Sequence, residues 1–255
     1  KYIFLSDHDR NQFLHVLHFV LQKFNIVCHA YCLMNNHFHL LLETPDANLS
    51  LGMHSLNTIY TQRFNRIHDR VGHLFQGRYK SFLIEKEGYL KEITRYVVLN
   101  PVRASIVDHP KDWKWSSFNE TVGLQKAHQI LTTDLLLSLF GNKRKESQFR
   151  YERFVLDGIH ANNPLENVRE AGILGSQQYI DELSLKYPET FEGIQNRKCD
   201  KLAGRPSLEI IFLNAKNKIR RNEMIQFAYK YCGYSQPEIA KALDVSKSTI
   251  YRMLK

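Results

Sequence analysis

The sequence predicts an α+β protein in which helices pack on one face of a sheet, followed by an all-α module at the C-terminal end. Three observations lead to this prediction: apolar residues at helical spacing, two short apolar runs separated by a turn, and a late pair of capped helices. The helical spacing covers residues 7–25 and 48–69, the short runs cover 26–34 and 37–43, and the capped pair follows residue 235.

The first helix and the hairpin after it have local start and stop signals. Ser6 or Asp7 can cap a helix over 7–25. Its inward residues are Phe13, Leu14, Leu17, Leu21 and Phe24. The runs 26–34 and 37–43 are interpreted as two strands, because Asn35-Asn36 between them is typical of a turn. These two strands therefore form a hairpin.

The next elements are predicted from periodicity and from proline. A helix over 48–69 places Leu49, Met53, Leu56, Tyr60, Phe64 and Ile67 inward. A strand is predicted over 74–85 and a helix over 87–99, which Pro101 should stop. Residues 110–160 are predicted to be helical with loops, and the turn residues and charges of 159–207 predict a connector. We therefore divide the chain into a domain over 1–125, an extension and connector over 126–207, and a helical module over 208–255.

Composition favours a polyanionic partner. Lys and Arg outnumber Asp and Glu by 35 to 26, which gives a formal net charge of +9. Ordinary solubility charge is the alternative. The four cysteines form no CxxC pair, which favours reduced thiols in a cytoplasmic protein. No secretory signal and no apolar run near the roughly 20 residues of a membrane span are visible, so we expect no membrane partner.

The sharpest local signal is His37-Phe38-His39. Side chains two apart on a strand point to the same face, so both imidazoles share one face while Asn36, Phe38, Leu40 and Leu42 share the other. Two neutral imidazoles at this spacing can bind one divalent ion. The alternative is a pair of surface histidines, and the pattern alone favours it.

A second signal lies on the helix predicted over 87–99. Glu92, Tyr96 and Asn100 are spaced four apart and share one face, whereas Leu90, Ile93 and Val97 share a buried one. Tyr96 is therefore offered where a nucleophile could meet substrate, and the Asn100 carbonyl could serve as a third metal ligand. The alternative is a packing tyrosine and an asparagine that caps the helix, since a residue before proline is pushed from helical dihedrals.

Basic and aromatic residues surround these signals in sequence. The basic candidates for phosphate contacts are Arg63, Arg66, Arg70, Arg78, Lys80, Arg95 and Arg103. Phe75, Tyr79 and Phe82 could stack on unpaired bases. The alternatives are solvated surface charge and packing in the sheet.

The C-terminal module carries a helix-turn-helix pattern. Ser235 and Glu238 make a capping box before one helix, and Ser246 can cap the next. Side chains of the second helix would then enter the major groove of duplex DNA; they are Ser246, Lys247, Ser248, Thr249, Tyr251 and Arg252. A plain helical hairpin is the alternative.

Three stretches together resemble the REP-associated tyrosine transposases, a single-tyrosine branch of the HUH superfamily. They are HAYCLMNNHFHLLLE (29–43), HLFQGRYK (73–80) and YVVLNPVRA (96–104), within a resemblance that covers about residues 1–125. The resemblance implies a ferredoxin-like antiparallel sheet, with Mg or Mn held by His37, His39 and Asn100. It also implies that Tyr96 is the nucleophile, forming a 5′-phosphotyrosine. The family pattern has a further strand before the position of Lys1, which we expect to be missing from this sequence.

The function predicted from these signals is a single-stranded DNA transposase that cuts and rejoins hairpin or repeat DNA of the repetitive extragenic palindrome type. Its tail would bind duplex DNA, and its location would be the bacterial nucleoid, as a monomer or homodimer. The rival interpretations are a DNA-binding regulator with a decayed nuclease domain, a metal hydrolase that uses water, and a replication nickase or relaxase.

Overall fold

The computed structural model describes residues 2–168, 172–187, 208, 212, 218–230 and 234–254. The chain divides after residue 175 into two compact units. Each unit is described by itself below.

The helices and strands follow in chain order. The first unit contains α1 (Asp7–Lys23), β1 (Val27–Leu33), β2 (Phe38–Glu43), α2 (Leu49–Ile67), β3 (Leu83–Ile84), α3 (Lys86–Arg103), α4 (Phe118–Thr121), α5 (Asp134–Ser138), α6 (Arg144–Asp157) and β4 (Ile173–Leu174). The second unit contains α7 (Gln177–Lys186), α8 (Lys218–Lys230), α9 (Gln236–Ala242) and α10 (Lys247–Leu254). The first four elements of the chain thus match the predicted helices and hairpin, whereas the fifth, β3, is much shorter than the strand predicted over 74–85.

Local capping fixes the start of α1. The Ser6 hydroxyl accepts the N–H of Asp9 at 3.3 Å, and the Asp9 carboxylate accepts the N–H of Ser6 at 2.9 Å. This reciprocal pair satisfies two of the helix's unpaired donors, which confirms Ser6 as the N-cap. The apolar face that follows is buried, from Phe13 to Leu21.

The hairpin of β1 and β2 has helices on both faces, so the prediction of helices on one face is wrong. Tyr31, Leu33, Phe38, Leu40 and Leu42 belong to a core shared with α1 and α2. Ala30, Cys32, Met34 and Leu41 belong to a second core, which α3 fills with Leu90, Ile93 and Val97. Both faces of β1 are apolar, and because apolar surface is driven out of water, each face needs a helical cover.

The predicted strand over 74–85 is also wrong outside Leu83–Ile84, which pairs in parallel with Ile173–Leu174. The outer edge of β1 is already covered by loops: Leu33 N–H donates to the Trp115 carbonyl at 2.8 Å, and the Ser117 N–H donates to the Tyr31 carbonyl at 2.9 Å. In this segment the side chains of Leu74, Phe75 and Tyr79 instead pack against the first core. Within the described ranges, the antiparallel sheet is therefore the β1–β2 hairpin alone, and the antiparallel α+β prediction is confirmed only to that extent.

Helix α3 continues through Pro101 to Arg103, so the predicted end at 99 is wrong. Proline has no N–H to offer the carbonyl of Val97, four residues back. The side-chain amide of Asn100 replaces that donor, with Nδ2 at 3.4 Å from the Val97 carbonyl and 2.8 Å from that of Tyr96. Asn100 therefore lies inside the helix rather than at its cap.

Residues beyond 125 complete the first unit. A third core joins Val98 and Leu99 of α3 to Phe118, Leu136, Tyr151 and their neighbours in α4, α5 and α6. The structure thus places residues 126–175 in the same unit as α3, whereas the sequence suggested a boundary at 125. Apolar residues of α3 pack into two cores, the second and the third. The sequence pattern of α3 alone does not identify the elements that complete these cores.

In the second unit, α8, α9 and α10 surround a small core that includes Ile225, Ile239 and Ile250. The capping box of Ser235 and Glu238 is present, and the Ser246 hydroxyl accepts the Thr249 N–H at 3.2 Å. Asp244 takes a positive φ of 51° in the turn between α9 and α10. A short polar side chain tolerates that backbone better than most, which allows the tight turn. Of the connector predicted over 159–207, the structure describes residues 159–168 and 172–187, and the remainder lies outside the described residues.

No helix among the described residues is long and apolar enough to cross a membrane.

Candidate active site

His37, immediately before β2, and His39, within β2, lie on the face of the hairpin that α3 covers. Their ring centroids are 4.9 Å apart, with the planes at 85°. His39 packs edge-on against Tyr96 of α3, with centroids 5.7 Å apart and the planes at 83°. Strand alternation therefore places both imidazoles on one face, as predicted, and the packing of α3 on the same face brings Tyr96 to them.

Desolvation favours the neutral form of both histidines, although the His37 side chain is exposed and that of His39 is half-buried. Desolvation lowers the pKa of His39 to about 4, with a smaller contribution from His37. Desolvation also lowers the pKa of His37. The Nε2 atom of His39 is buried and has no hydrogen-bond partner. A neutral imidazole with a free nitrogen is the form that binds a metal ion.

Tyr96 is half-buried, and desolvation raises its pKa. The charge of Arg103 and a hydrogen bond from Asn100 act in the opposite direction and favour the phenolate. The guanidinium carbon of Arg103 lies 5.3 Å from the centre of the Tyr96 ring. The phenol is therefore held between an imidazole and a cation.

The donors present fit a divalent ion of the Mg or Mn class. Among the described residues, no group of three His, Cys, Asp or Glu side chains could hold a metal. Asn100 lies one helical turn after Tyr96, and because its Nδ2 donates to backbone carbonyls, its side-chain oxygen is the atom that could serve as a ligand. Two imidazoles and an amide oxygen would form a mixed nitrogen and oxygen set with further positions for phosphate oxygens.

The two arginines of α3 have different surroundings. Arg103 Nη2 donates to the carbonyls of Ala161 and Asn162 at 3.0 and 3.3 Å, which holds its guanidinium over Tyr96. Arg95 pairs with Glu92, and its guanidinium carbon lies 4.4 Å from the centre of the Phe154 ring. Arg103 thus belongs to the site, whereas Arg95 joins α3 to α6.

The remaining basic candidates are distributed around the first unit. Arg63 and Arg66 are exposed on α2, the helix that covers the opposite face of the hairpin from the histidines. Arg78 and Lys80 are exposed in the loop before β3. The aromatic residues of that loop, Phe75 and Tyr79, pack against the first core, as the alternative interpretation held. The structure therefore brings one basic candidate, Arg103, into contact with Tyr96.

Two contacts on this face differ from or add to the sequence prediction. Asn36 was predicted on the opposite face, but it lies in the turn before β2, where strand alternation does not apply, and its Oδ1 lies 2.7 Å from His37 Nδ1. Glu43, on the same strand face as His39, accepts from His29 at 2.9 Å and pairs with Lys86 at 3.3 Å. Glu43 follows His39 by four residues, an even spacing that could have identified it as a neighbour on the same face.

Helix α10 presents a polar surface. Lys247, Ser248, Tyr251 and Arg252 are exposed, while Ile250 is buried in the core of the unit. The predicted contact residues thus point to solvent, apart from the half-buried Thr249. The sequence pattern of α10 was sufficient to identify this face.

The burial of neutral His39 predicts a pH dependence of stability. Its folded pKa of about 4 lies below the ordinary value near 6.5, so the unfolded state takes up a proton first as pH falls. Stability from this residue is therefore complete above about pH 6.5 and declines towards pH 4, by about 2 kcal/mol at about pH 5. Urea unfolding at pH 7.5 and 5 should show this loss in the wild type. In His39→Gln the decrease in the free energy of unfolding between pH 7.5 and pH 5 should be smaller than in the wild type by about 2 kcal/mol. An equal decrease in both proteins would contradict the prediction.

Comparisons with known proteins agree with this geometry. Residues 1–100 match the family described as "Transposase IS200 like", and residues 215–255 match the family described as "Homeodomain-like domain". A Haemophilus influenzae protein named as a REP-associated tyrosine transposase is 31% identical over 104 residues, which are 36% of this chain and 59% of that protein. The chain thus spans less than two thirds of that relative, and no solved structure matches. The predicted resemblance is confirmed: residues 1–100 are similar to IS200-like transposases, and residues 215–255 are similar to homeodomain-like helix-turn-helix domains.

Proposed function

We propose that this protein cuts and rejoins single-stranded DNA, with Tyr96 as the nucleophile and a divalent metal held by His37, His39 and Asn100. The observation that carries the proposal is the packing of Tyr96 against His39, 5.7 Å between ring centroids, beside a buried Nε2 with no partner. A structural histidine in that position would normally have its buried nitrogen hydrogen-bonded.

In the proposed reaction the Tyr96 oxygen attacks a backbone phosphorus atom. The new bond joins that oxygen to the 5′ phosphate, and the bond from phosphorus to the 3′ oxygen breaks. The phenol loses its proton, and the departing 3′ oxygen gains one, so the charge on the phosphodiester is conserved. The reverse reaction, with a 3′-hydroxyl as attacking group, rejoins a strand without an external energy source.

The residues around Tyr96 would each serve this exchange. Arg103 favours the phenolate through its charge and holds the ring by its contact at 5.3 Å. His37 and His39, both neutral, would hold the ion together with the amide oxygen of Asn100. A bound divalent ion would supply charge neutralisation and orientation of the phosphate.

The substrate we propose is hairpin or repeat DNA, because the Haemophilus influenzae relative is named for its association with REP sequences. The exposed charges of Arg78 and Lys80 would contact phosphates of the single strand. Exposed Arg63 and Arg66 lie on the opposite helical layer, where they would contact a flanking part of the same DNA.

A direct experiment separates the transposase from the metal hydrolase and from the DNA-binding regulator. The full chain is incubated with a library of labelled single-stranded hairpin oligonucleotides and Mn²⁺, and the products are resolved on denaturing gels. A transposase leaves protein covalently attached to the fragment that carries the 5′ phosphate, a metal hydrolase cuts without attachment, and a binding regulator does not cut. Cutting that leaves no protein attached at any time point contradicts the covalent mechanism.

The second unit is proposed to bind duplex DNA through α10. Arg252→Gln in the full chain should weaken duplex binding by about tenfold and reduce the slope of log affinity against log salt by about one, since one phosphate contact is lost. Fluorescence anisotropy with duplex DNA at several salt concentrations measures both. The control, Lys145→Gln, removes one exposed charge from α6 and should leave both unchanged. If Arg252→Gln and Lys145→Gln show the same duplex affinity and the same salt dependence, α10 has a structural role and does not contact DNA.

A further inference from the structure

The turn between β1 and β2 is fixed from two sides. The Met34 N–H donates to the His37 carbonyl at 2.9 Å and closes the turn. From outside the hairpin, Arg10 Nη2 donates to Asn35 Oδ1 at 2.6 Å. Arg10 is 7% exposed, so this hydrogen bond from a cation is shielded from water.

Arg10 is itself held in an aromatic cage. Its guanidinium carbon lies 5.5 Å from the ring centre of Phe4, 5.8 Å from Trp113 and 5.6 Å from Trp115. Asp7 lies at 3.9 Å. These contacts hold the buried guanidinium beside the turn, where it donates to the Asn35 side chain.

The other residue of the turn contacts the metal site directly. His37 Nδ1 lies 2.7 Å from Asn36 Oδ1. A carbonyl oxygen accepts hydrogen bonds, so this contact favours the neutral tautomer that carries its hydrogen on Nδ1. The lone pair of His37 then lies on Nε2, which is the atom free to bind a metal.

We propose that the Asn35–Asn36 turn is a positioning device for the metal site: Asn36 selects the tautomer of His37, and Arg10 holds the turn through Asn35. This inference rests on the proposed function, because it assigns residues to the metal site that the function requires. Neither asparagine would touch the ion. They act through His37, as outer residues around a ligand histidine do.

The tautomer can be measured without metal. In histidine-labelled, metal-free protein at about pH 8, ¹⁵N NMR should find the hydrogen of His37 on Nδ1 in the wild type. Asn36→Ala should give a mixture of the two tautomers, and Asn36→Asp should restore the Nδ1–H form because it keeps the acceptor oxygen. A single Nδ1–H tautomer in Asn36→Ala would overturn the proposal, whether or not the protein cuts DNA.

Metal affinity provides the second measurement. Titration of the full chain with Mn²⁺, followed by calorimetry, should give about tenfold weaker binding for Asn36→Ala, at the lower end of outer-residue effects because Asn36 is exposed. Asn36→Asp should recover the loss. Asn11→Ala, an exposed change on α1, is the control and should bind like the wild type. If the wild type and Asn36→Ala bind Mn²⁺ equally well, this inference is contradicted but the proposed metal site is not. If the wild type does not bind Mn²⁺ at all, the metal site itself is contradicted.

The role of Arg10 is tested through its acceptor, since removing a caged arginine could unfold the protein. Asn35→Ala removes Oδ1 and leaves the backbone of the turn, so we expect several-fold weaker Mn²⁺ binding with little loss of stability. Asn35→Asp keeps the acceptor for Arg10 and should bind like the wild type. If Asn35→Ala binds Mn²⁺ normally, Arg10 has no part in the device.

Discussion

Replacing Tyr96 by Phe should abolish the covalent protein–DNA adduct and reduce strand cleavage at least about a thousand-fold, because the attacking oxygen is lost. The phenylalanine ring would keep the packing against His39 and the core below it, so the free energy of unfolding should change little. Denaturing gels of labelled hairpin DNA with Mn²⁺ measure the adduct, and urea unfolding measures the stability.

Tyr89 provides a matched control on the same helix. It is half-buried against the same core as Tyr96 and lies about two turns earlier on α3. Tyr89→Phe should therefore form the adduct at the wild-type level. Substantial cutting by Tyr96→Phe would indicate water as the nucleophile, and loss of the adduct in both variants would indicate that α3 tolerates no change.

The second large effect is expected at His39. His39→Gln keeps a polar side chain of similar length but removes the imidazole nitrogen, so the proposed ion would lose a ligand. We expect Mn²⁺ binding to fall below detection and adduct formation to fall at least about a hundred-fold, since a metal ion contributes several kcal/mol to such reactions. Calorimetry and the adduct gel measure the two effects separately.

The control for this prediction is His54→Gln on α2, where the histidine is exposed. That variant should bind Mn²⁺ and form the adduct like the wild type. Because His39 also contacts Tyr96, circular dichroism and unfolding of His39→Gln are needed to establish that the fold survives. A folded His39→Gln that forms the adduct normally would exclude His39 as a ligand.

Several elements could be read from the sequence because their causes are local. Ser6 and Ser235 each begin a helix through a capping box whose partner lies three residues away. Strand alternation through the start of β2 placed His37 and His39 on one face, and the spacing of α3 placed Tyr96 away from the most buried face of that helix. Each of these features depends only on residues that are close together in the sequence, within one helical turn or one strand. Such features can be predicted from the sequence directly.

Other elements were wrong because their causes lie far along the chain. The segment 74–85 has the composition of a strand, but loops from residues 115–117 and 131–132 cover the edge of β1. Pro101 would normally end a helix, yet the neighbouring amide of Asn100 donates to the carbonyl that proline leaves unpaired. Neither substitute partner is visible in a periodicity pattern.

The sequence by itself determined the types of side chain available to the site, their spacing on β2 and α3, and the helix-turn-helix pattern of the tail. Only the tertiary structure decided that α3 covers the histidine face of the hairpin, which brings Tyr96 to His39 and leaves Arg63 and Arg66 on the other side. It also decided that Arg103 reaches Tyr96 while Arg95 does not. The physical reason is that both faces of β1 are apolar, so each must be covered, and which helix covers which face depends on how all the cores pack together.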